Sequence, residues 1–186
     1  MTRLNLVTNL LLAAWVVLEL GAALRSRAEG TLQDRGSFWA VGLGVGLGLV
    51  GADAAAAQAG PAGRLPAWAG WAGVGLLVAG VAFRHYAIGV LGRNFTPRVR
   101  IRPGQPLIQH GPYRFLRHPS YTGGWLALVG TALTLRSWPA VLVMAGFSLW
   151  GFARRIRVEE AALAAAFGSR YEQYRRRSWR MIPFVF

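Results

Sequence analysis

Long apolar runs alternate along the chain with shorter basic interruptions. Leu4–Leu24, Phe38–Ala57 and Ala67–Leu91 are three such runs, and each matches the roughly 20 residues a helix needs to cross a hydrocarbon core of about 30 Å. Glu19 interrupts the first where a leader's cleavage region would lie, so that run reads as a retained helix. A polar stretch, Gly92–Ser120, follows, with Pro97, Pro103, Pro106, Pro112 and Pro119, too many for a continuous helix. Two further runs, Tyr121–Leu135 and Trp138–Phe152, each extend about 22 Å as helix and predict a short or tilted hairpin. From Arg154 to the end the chain is basic and amphipathic. The pattern predicts an all-α integral membrane protein, a single domain over 1–186 with about five transmembrane helices, a loop over 92–120 and a tail over 154–186.

Composition supports that class. Hydrophobic residues make up 54% and charged ones 15%, against about 25% charged in soluble domains, and this apolar content excludes disorder. With no Cys, three His and seven acids, no disulfide framework or thiolate site can form, and no metal site is expected. The net charge is +14, and all 21 basic residues are Arg. A nucleic-acid partner would suit the charge alone, but the arginines lie between and after apolar runs. The expected partner is therefore the anionic face of a membrane, with no nucleic acid.

Charge position also orients the chain. With the N-terminus outside, 18 arginines fall on the cytoplasmic side, including Arg25, Arg27, Arg35, Arg84, Arg102, Arg114, Arg117 and the eight from Arg154 onward. Only Arg3, Arg64 and Arg136 fall outside. The positive-inside rule favours this topology, which puts the 92–120 loop and the tail on one side of the membrane.

Several features invite a chemical reading. Gly42, Gly44, Gly46, Gly48 and Gly51 resemble pieces of a dinucleotide fingerprint but lie inside a spanning run, where small residues permit close helix packing. Their packing leaves the oligomeric state open. Glu19 and Asp53 sit near helix ends, within reach of the interface. Arg84 can snorkel, and His85 stands alone. The segment Gln109–Gly124 is different, with two His, two Tyr and two Arg set among Pro and Gly just before a membrane helix. Ser120 is placed to cap that helix. Further on, Glu160, Leu163, Phe167, Tyr171 and Tyr174 fall on one helical face, where a carboxylate needs a partner. Glu159, four residues after Arg155, has a surface ion pair available. Arg175, Arg176 and Arg177 read as a lipid-facing basic patch.

Gly111-x-Tyr113-x-x-x-Arg117-His118-Pro119-x-Tyr121-x-Gly123 and, after it, Arg155-x-x-x-Glu159-Glu160-x-x-Leu163-x-x-x-Phe167-Gly168-x-x-Tyr171-x-x-Tyr174, with Pro183-Phe184 near the end, resemble the isoprenylcysteine carboxyl methyltransferase family. The related phospholipid methyltransferases share the likeness, and the short chain suggests a small prokaryotic member. The resemblance implies S-adenosylmethionine as cofactor in a cytoplasmic pocket touched by His110, Tyr113, His118, Pro119, Tyr121, Gly123 and Glu160. It places Arg155, with Glu160, in the catalytic role, Arg155 holding the acceptor. The implied substrate is a lipophilic small molecule or lipid, plausibly a carboxylate, entering from the bilayer. A phospholipid amine or thiol methyltransferase and a non-enzymatic membrane scaffold or small carrier are the alternatives. An Arg-only, Ala- and Gly-rich composition suits a bacterial inner membrane.

Overall fold

The computed structural model describes residues 2–26, 31, 32, 34, 36–101 and 104–184; Arg27, Arg35, Arg102 and Pro103 lie outside the described residues. Helices α1 (Arg3–Arg25), α2 (Ser37–Gln58), α3 (Ala67–Leu91), α4 (Pro119–Thr134), α5 (Trp138–Phe167) and α6 (Ser169–Arg176) follow in order. Two-residue strands β1 (Thr31–Leu32) and β2 (Arg100–Ile101) pair antiparallel, Thr31 opposite Ile101. α3 lies along α4, α2 lies along α5, and α4 against α5 joins the two pairs.

Glycine makes these approaches close. A Cβ on Gly80 would stand 2.5 Å from Ala127 N, and one on Gly130 would stand 2.5 Å from Leu77 N. At the other seam a Cβ on Gly44 would stand 2.6 Å from Phe147 O, and one on Gly151 would stand 2.8 Å from Ala40 O. With no hydrophobic force between helices in lipid, such small-residue seams let backbones touch and dispersion hold them. Gly42 and Gly46 face open space. The glycines of α2 therefore serve packing where they meet α5 and nothing like a nucleotide loop.

Among the described residues three helices are long and apolar enough to cross a membrane: α1, α2 and α3 with its following turn. α1 buries only Thr8 and leaves Leu10, Val17 and Leu24 more than half exposed, a surface suited to hydrocarbon. α4, at 16 residues, reaches only about 24 Å. α5 corrects the predicted boundary at Arg154, because the helix runs on for 30 residues, about 45 Å. The segment from Phe152 to Phe167 holds no Gly or Pro, so nothing stops the helix until Gly168 at φ 52°. Ser120 does not cap α4. Its N-cap is His118, with no side-chain cap bond, and Pro119 occupies the first turn.

Arg84 does not snorkel. Its Nε donates to Glu19 Oε1 at 2.5 Å, its Nη2 to Glu19 Oε2 at 2.7 Å and its Nη1 to Ser120 O at 3.1 Å, while Trp15 Nε1 also donates to Glu19 Oε1 at 2.8 Å. In a poorly solvated setting a bidentate partner offsets desolvation better than a stretched side chain does. The pair ties α1 to α3 and to the start of α4. At the opposite end the α2–α3 loop meets the α4–α5 turn, where Leu65 N donates to Arg136 O at 2.8 Å. Arg64 and Arg136, counted together on one side from sequence, thus share one end of the bundle.

Candidate functional site

The proline-rich segment before α4 and the tail after α5 meet at the other end. Gly111, at φ 57°, and Pro112 fold a 3₁₀ turn over Gly111–Arg114 that buries Tyr113. The tail adds strand-like pairing: Arg117 N donates to Trp179 O at 2.8 Å, His118 N to Arg180 O at 2.9 Å and Trp179 N to Phe115 O at 2.9 Å. Tyr174 Oη donates to Tyr113 O at 2.6 Å. Gly168 splits the predicted face after Phe167, so Tyr171 and Tyr174 belong to α6. The turn nevertheless folds them back beside Leu163 and Phe167.

A cavity of about 90 Å³ lies between these pieces. Tyr113, Arg117, His118 and Ser120 form one wall, and Arg155, Glu159, Leu163, Phe167, Tyr171 and Tyr174 form the other. Residues between Leu91 and Ile108, Val99 and Arg100 among them, roof it, pinned by the β1–β2 pair. Tyr171 is fully buried. Tyr171 Oη and His118 Nε2 are buried with no hydrogen-bond partner among the described residues, His118 Nε2 standing 3.6 Å from Glu160 Oε1, and buried polar atoms of this kind call for an explanation.

The charged groups form two networks. In the first, Arg155, only 3% exposed, donates from Nη1 to Asp34 Oδ1 and, at 3.0 Å, to Ser37 Oγ. Its Nη2 donates to Pro97 O at 2.8 Å and its Nε to Tyr121 Oη at 3.1 Å. Tyr121 Oη donates in turn to Glu159 Oε2 at 2.7 Å. The expected Arg155–Glu159 surface pair is therefore replaced, because Arg155 points inward to Asp34. Four of the five guanidinium N–H groups have acceptors, which leaves one on Nη2. In the second network Glu160 accepts from Arg117 Nε at 2.8 Å and from Arg180 Nε at 3.0 Å, with His118 Nε2 at 3.6 Å. Burial alone would raise the Glu160 carboxyl, but His118 and the Arg117 guanidinium outweigh it and hold it at about 2. Burial pushes the Tyr113, Tyr171 and Tyr174 phenols well above their usual range, so all three stay protonated.

The predicted residues divide by position. Tyr113, His118 and Arg155 line the cavity. Tyr121 lies between the His118 ring, 5.6 Å away, and the Phe152 ring, 5.4 Å away, and joins Arg155 to Glu159. Glu160 is buried behind the wall in its ion pairs, and Pro119 is buried in the first turn of α4. Gly123 belongs to the α3–α4 seam, where a Cβ would stand 2.5 Å from Arg84 N. His110 is exposed, outside the lining, and its carbonyl accepts from Tyr113 N. Sequence reasoning missed Asp34 and Ser37, which lie about 120 positions before Arg155 with no spacing to link them. Arg117, noted only within a motif, is with Arg180 a direct partner of Glu160.

The sequence and the fold have counterparts among known proteins. The family model for the isoprenylcysteine carboxyl methyltransferase (ICMT) family matches residues 73–165. A protein-S-isoprenylcysteine O-methyltransferase from Dictyostelium discoideum is 34% identical over 118 residues, 62% of this chain and 49% of the relative. Protein-S-isoprenylcysteine O-methyltransferase A from Arabidopsis thaliana is 36% identical over 121 residues, 63% of this chain and 61% of the relative. A solved structure of the eukaryotic intramembrane Ras methyltransferase ICMT superposes with a TM-score of 0.61 at 30% identity, over 64% of this chain and 43% of that one. The chain belongs to the isoprenylcysteine carboxyl methyltransferase family and is an integral membrane protein. It spans about half to three fifths of the length of the curated relatives it matches. These relatives are eukaryotic, and the expectation of a small prokaryotic member is not borne out.

Proposed function

We propose that this chain is an S-adenosylmethionine-dependent methyltransferase that esterifies the carboxylate of a lipophilic acceptor, an S-isoprenylcysteine or a lipid of like chemistry. The observation that carries this reading is the cavity built jointly by the Tyr113–Tyr121 segment and the Arg155–Tyr174 segment, with Tyr171 Oη and His118 Nε2 left unpaired at its wall. When bound, S-adenosylmethionine supplies a methyl group on a cationic sulfonium.

The residues present fit such a group. The faces of Tyr113, Tyr171 and Tyr174 suit a cation, while Tyr171 Oη and His118 Nε2 have hydrogen bonds to offer polar ends. Protonated phenols keep the aromatic wall neutral. The remaining N–H on Arg155 Nη2 suits an acceptor carboxylate, oriented by a charged donor. Asp34, Ser37, Pro97 and Tyr121 fix the guanidinium in place, which is how positioning contributes to rate. A carboxylate acceptor needs no base, and Glu159 and Glu160 are engaged with Tyr121 and with Arg117 and Arg180. At about 90 Å³ the cavity is smaller than the roughly 300 Å³ at the low end of small-molecule sites. The roof over it is tied by the Pro97–Arg155 bond and the β1–β2 pair.

Arginine distribution supports a single membrane unit over 1–186, with the N-terminus outside and the site and tail in the cytoplasm. The test is mass spectrometry of prenylated and unprenylated cysteine carboxylates, together with extracted lipids, incubated with purified protein and labelled methyl donor. Label on the prenylated carboxylate as methyl ester supports the reading. Label on an amine or thiol only, or on soluble carboxylates equally fast, overturns it.

A further inference from the structure

A second cleft, of about 590 Å³, opens between α1 and α3 at the same end of the bundle. It shares no lining residue with the cavity described above. Leu91, Asn94 and Thr96 line the cavity, while Gly92, Arg93 and Phe95 line the cleft, so the short Gly92–Asn94 turn separates the two. Leu18, Ala22 and Ile88 give the cleft apolar walls. Arg25 and Arg93 also line it, at the ends of α1 and α3, where the chain leaves the apolar run.

These two cations are uncompensated. Arg25 Nε donates to Gly21 O of its own helix at 2.9 Å, and among the described residues neither arginine forms a salt bridge. Among the described residues the acid nearby is Glu19, which is held bidentate by Arg84. His85 lines the cleft too, its Nε2 3.7 Å from Glu19 Oε1. Unpaired cations over an apolar space at the water boundary attract an anionic head with an acyl tail, as basic pockets between membrane helices do. α1 buries only Thr8 against the bundle, so a molecule filling the cleft also braces that helix.

We propose that the cleft binds one anionic phospholipid, its phosphate held between Arg25 and Arg93 and its upper acyl chain laid along Leu18, Ala22 and Ile88. The methyl acceptor is not this occupant, since its carboxylate must reach the other cavity. That exclusion rests on the methyl-transfer reading, whereas the binding of an anionic lipid does not.

The test is native mass spectrometry of the full chain in neutral detergent with phosphatidylglycerol or phosphatidylcholine at equal concentration. The wild type should retain one phosphatidylglycerol in preference to phosphatidylcholine. The Arg25→Gln/Arg93→Gln variant should bind phosphatidylglycerol about 30-fold more weakly, from two cations near the surface. Arg93→Gln alone, a change on an exposed turn, should show an intermediate loss and serves where the double variant does not fold. Arg175→Gln/Arg176→Gln, which removes the same charge from the tail, should bind as the wild type does. Equal retention of both lipids, undiminished phosphatidylglycerol in the Arg25 and Arg93 variants or an equal loss in the tail variant overturns the proposal. So does displacement of the lipid by an S-prenylated cysteine carboxylate, which would make the cleft the acceptor's.

Discussion

Asp34→Ala removes the one carboxylate that, among the described residues, touches Arg155. Both side chains are nearly enclosed, 4% exposed for Arg155 and 8% for Asp34. The variant leaves a buried guanidinium with only neutral acceptors: Ser37 Oγ, the Pro97 carbonyl and Tyr121 Oη. Breaking a buried pair from one side costs about 3–5 kcal/mol, which for a chain of this size lowers the unfolding midpoint by about 6–20 °C. Asp34→Asn keeps an acceptor and loses the charge, so its cost is nearer the 1.5–3 kcal/mol typical of a hydrogen bond to a charged group. The assay is thermal unfolding in detergent of the two single variants, Arg155→Ala and the Asp34→Ala/Arg155→Ala double. If the pair is as close as its geometry, the double variant is much less destabilised than the two alanine singles added together. Additive losses, or an Asp34→Ala midpoint equal to the wild type's, would refute the pairing.

Further outcomes follow from the same geometry. Arg155→Ala should reduce turnover more than affinity for S-adenosylhomocysteine, read from initial rates beside calorimetry; equal loss of both would contradict an acceptor-facing role. Gly80→Leu should prevent assembly, because its first carbon alone would lie 2.5 Å from Ala127 N and overpacking a helix seam costs about 1–3 kcal/mol or more; a variant that purifies with the wild-type midpoint would count against the seam. Glu160 is held at about 2, below its unfolded value of 4.5. Its contribution to stability is therefore present above pH 4.5 and is lost as pH falls from there toward 2. Unfolding midpoints measured across that window should fall more steeply in the wild type than in Glu160→Gln, and parallel curves would contradict the ion pairs with Arg117 and Arg180.

The helices were legible because their cause is local. Runs of apolar residues of spanning length and a proline-broken segment say where helices exist, whereas the stop at Gly168 was not foreseen and one face was read through it to Tyr174. Arg154 misled the boundary because charge does not end a helix. Alanine, leucine, glutamate and arginine all sustain one, so α5 carries its basic stretch out of the apolar layer intact. In the site, Tyr113, His118 and Arg155 were visible because they stand in the two family-like motifs, although the groups they meet, such as Tyr174, Glu160 and Tyr121, lie tens of positions away. Asp34 and Ser37 were not visible, because their bond to Arg155 joins distant segments that only the bundle brings together. Arg84 and Glu19 were each legible as intramembrane charges, but their pairing across α1 and α3 depends on helix packing that no local pattern encodes. Gly123 shows the reverse case: its place in a motif suggested a ligand, whereas its place in α4 makes it a backbone contact.

The account rests on one cavity, shared by the loop before α4 and the tail after α5, that receives the methyl donor. Calorimetric titration of S-adenosylhomocysteine into the detergent-purified chain and its Tyr171→Phe and His118→Ala variants tests that most directly. The account predicts micromolar binding by the wild type and clearly weaker binding by both variants, whose lost groups are the unpaired ones at the wall. No heat at millimolar ligand, or equal affinity in all three proteins, would contradict it.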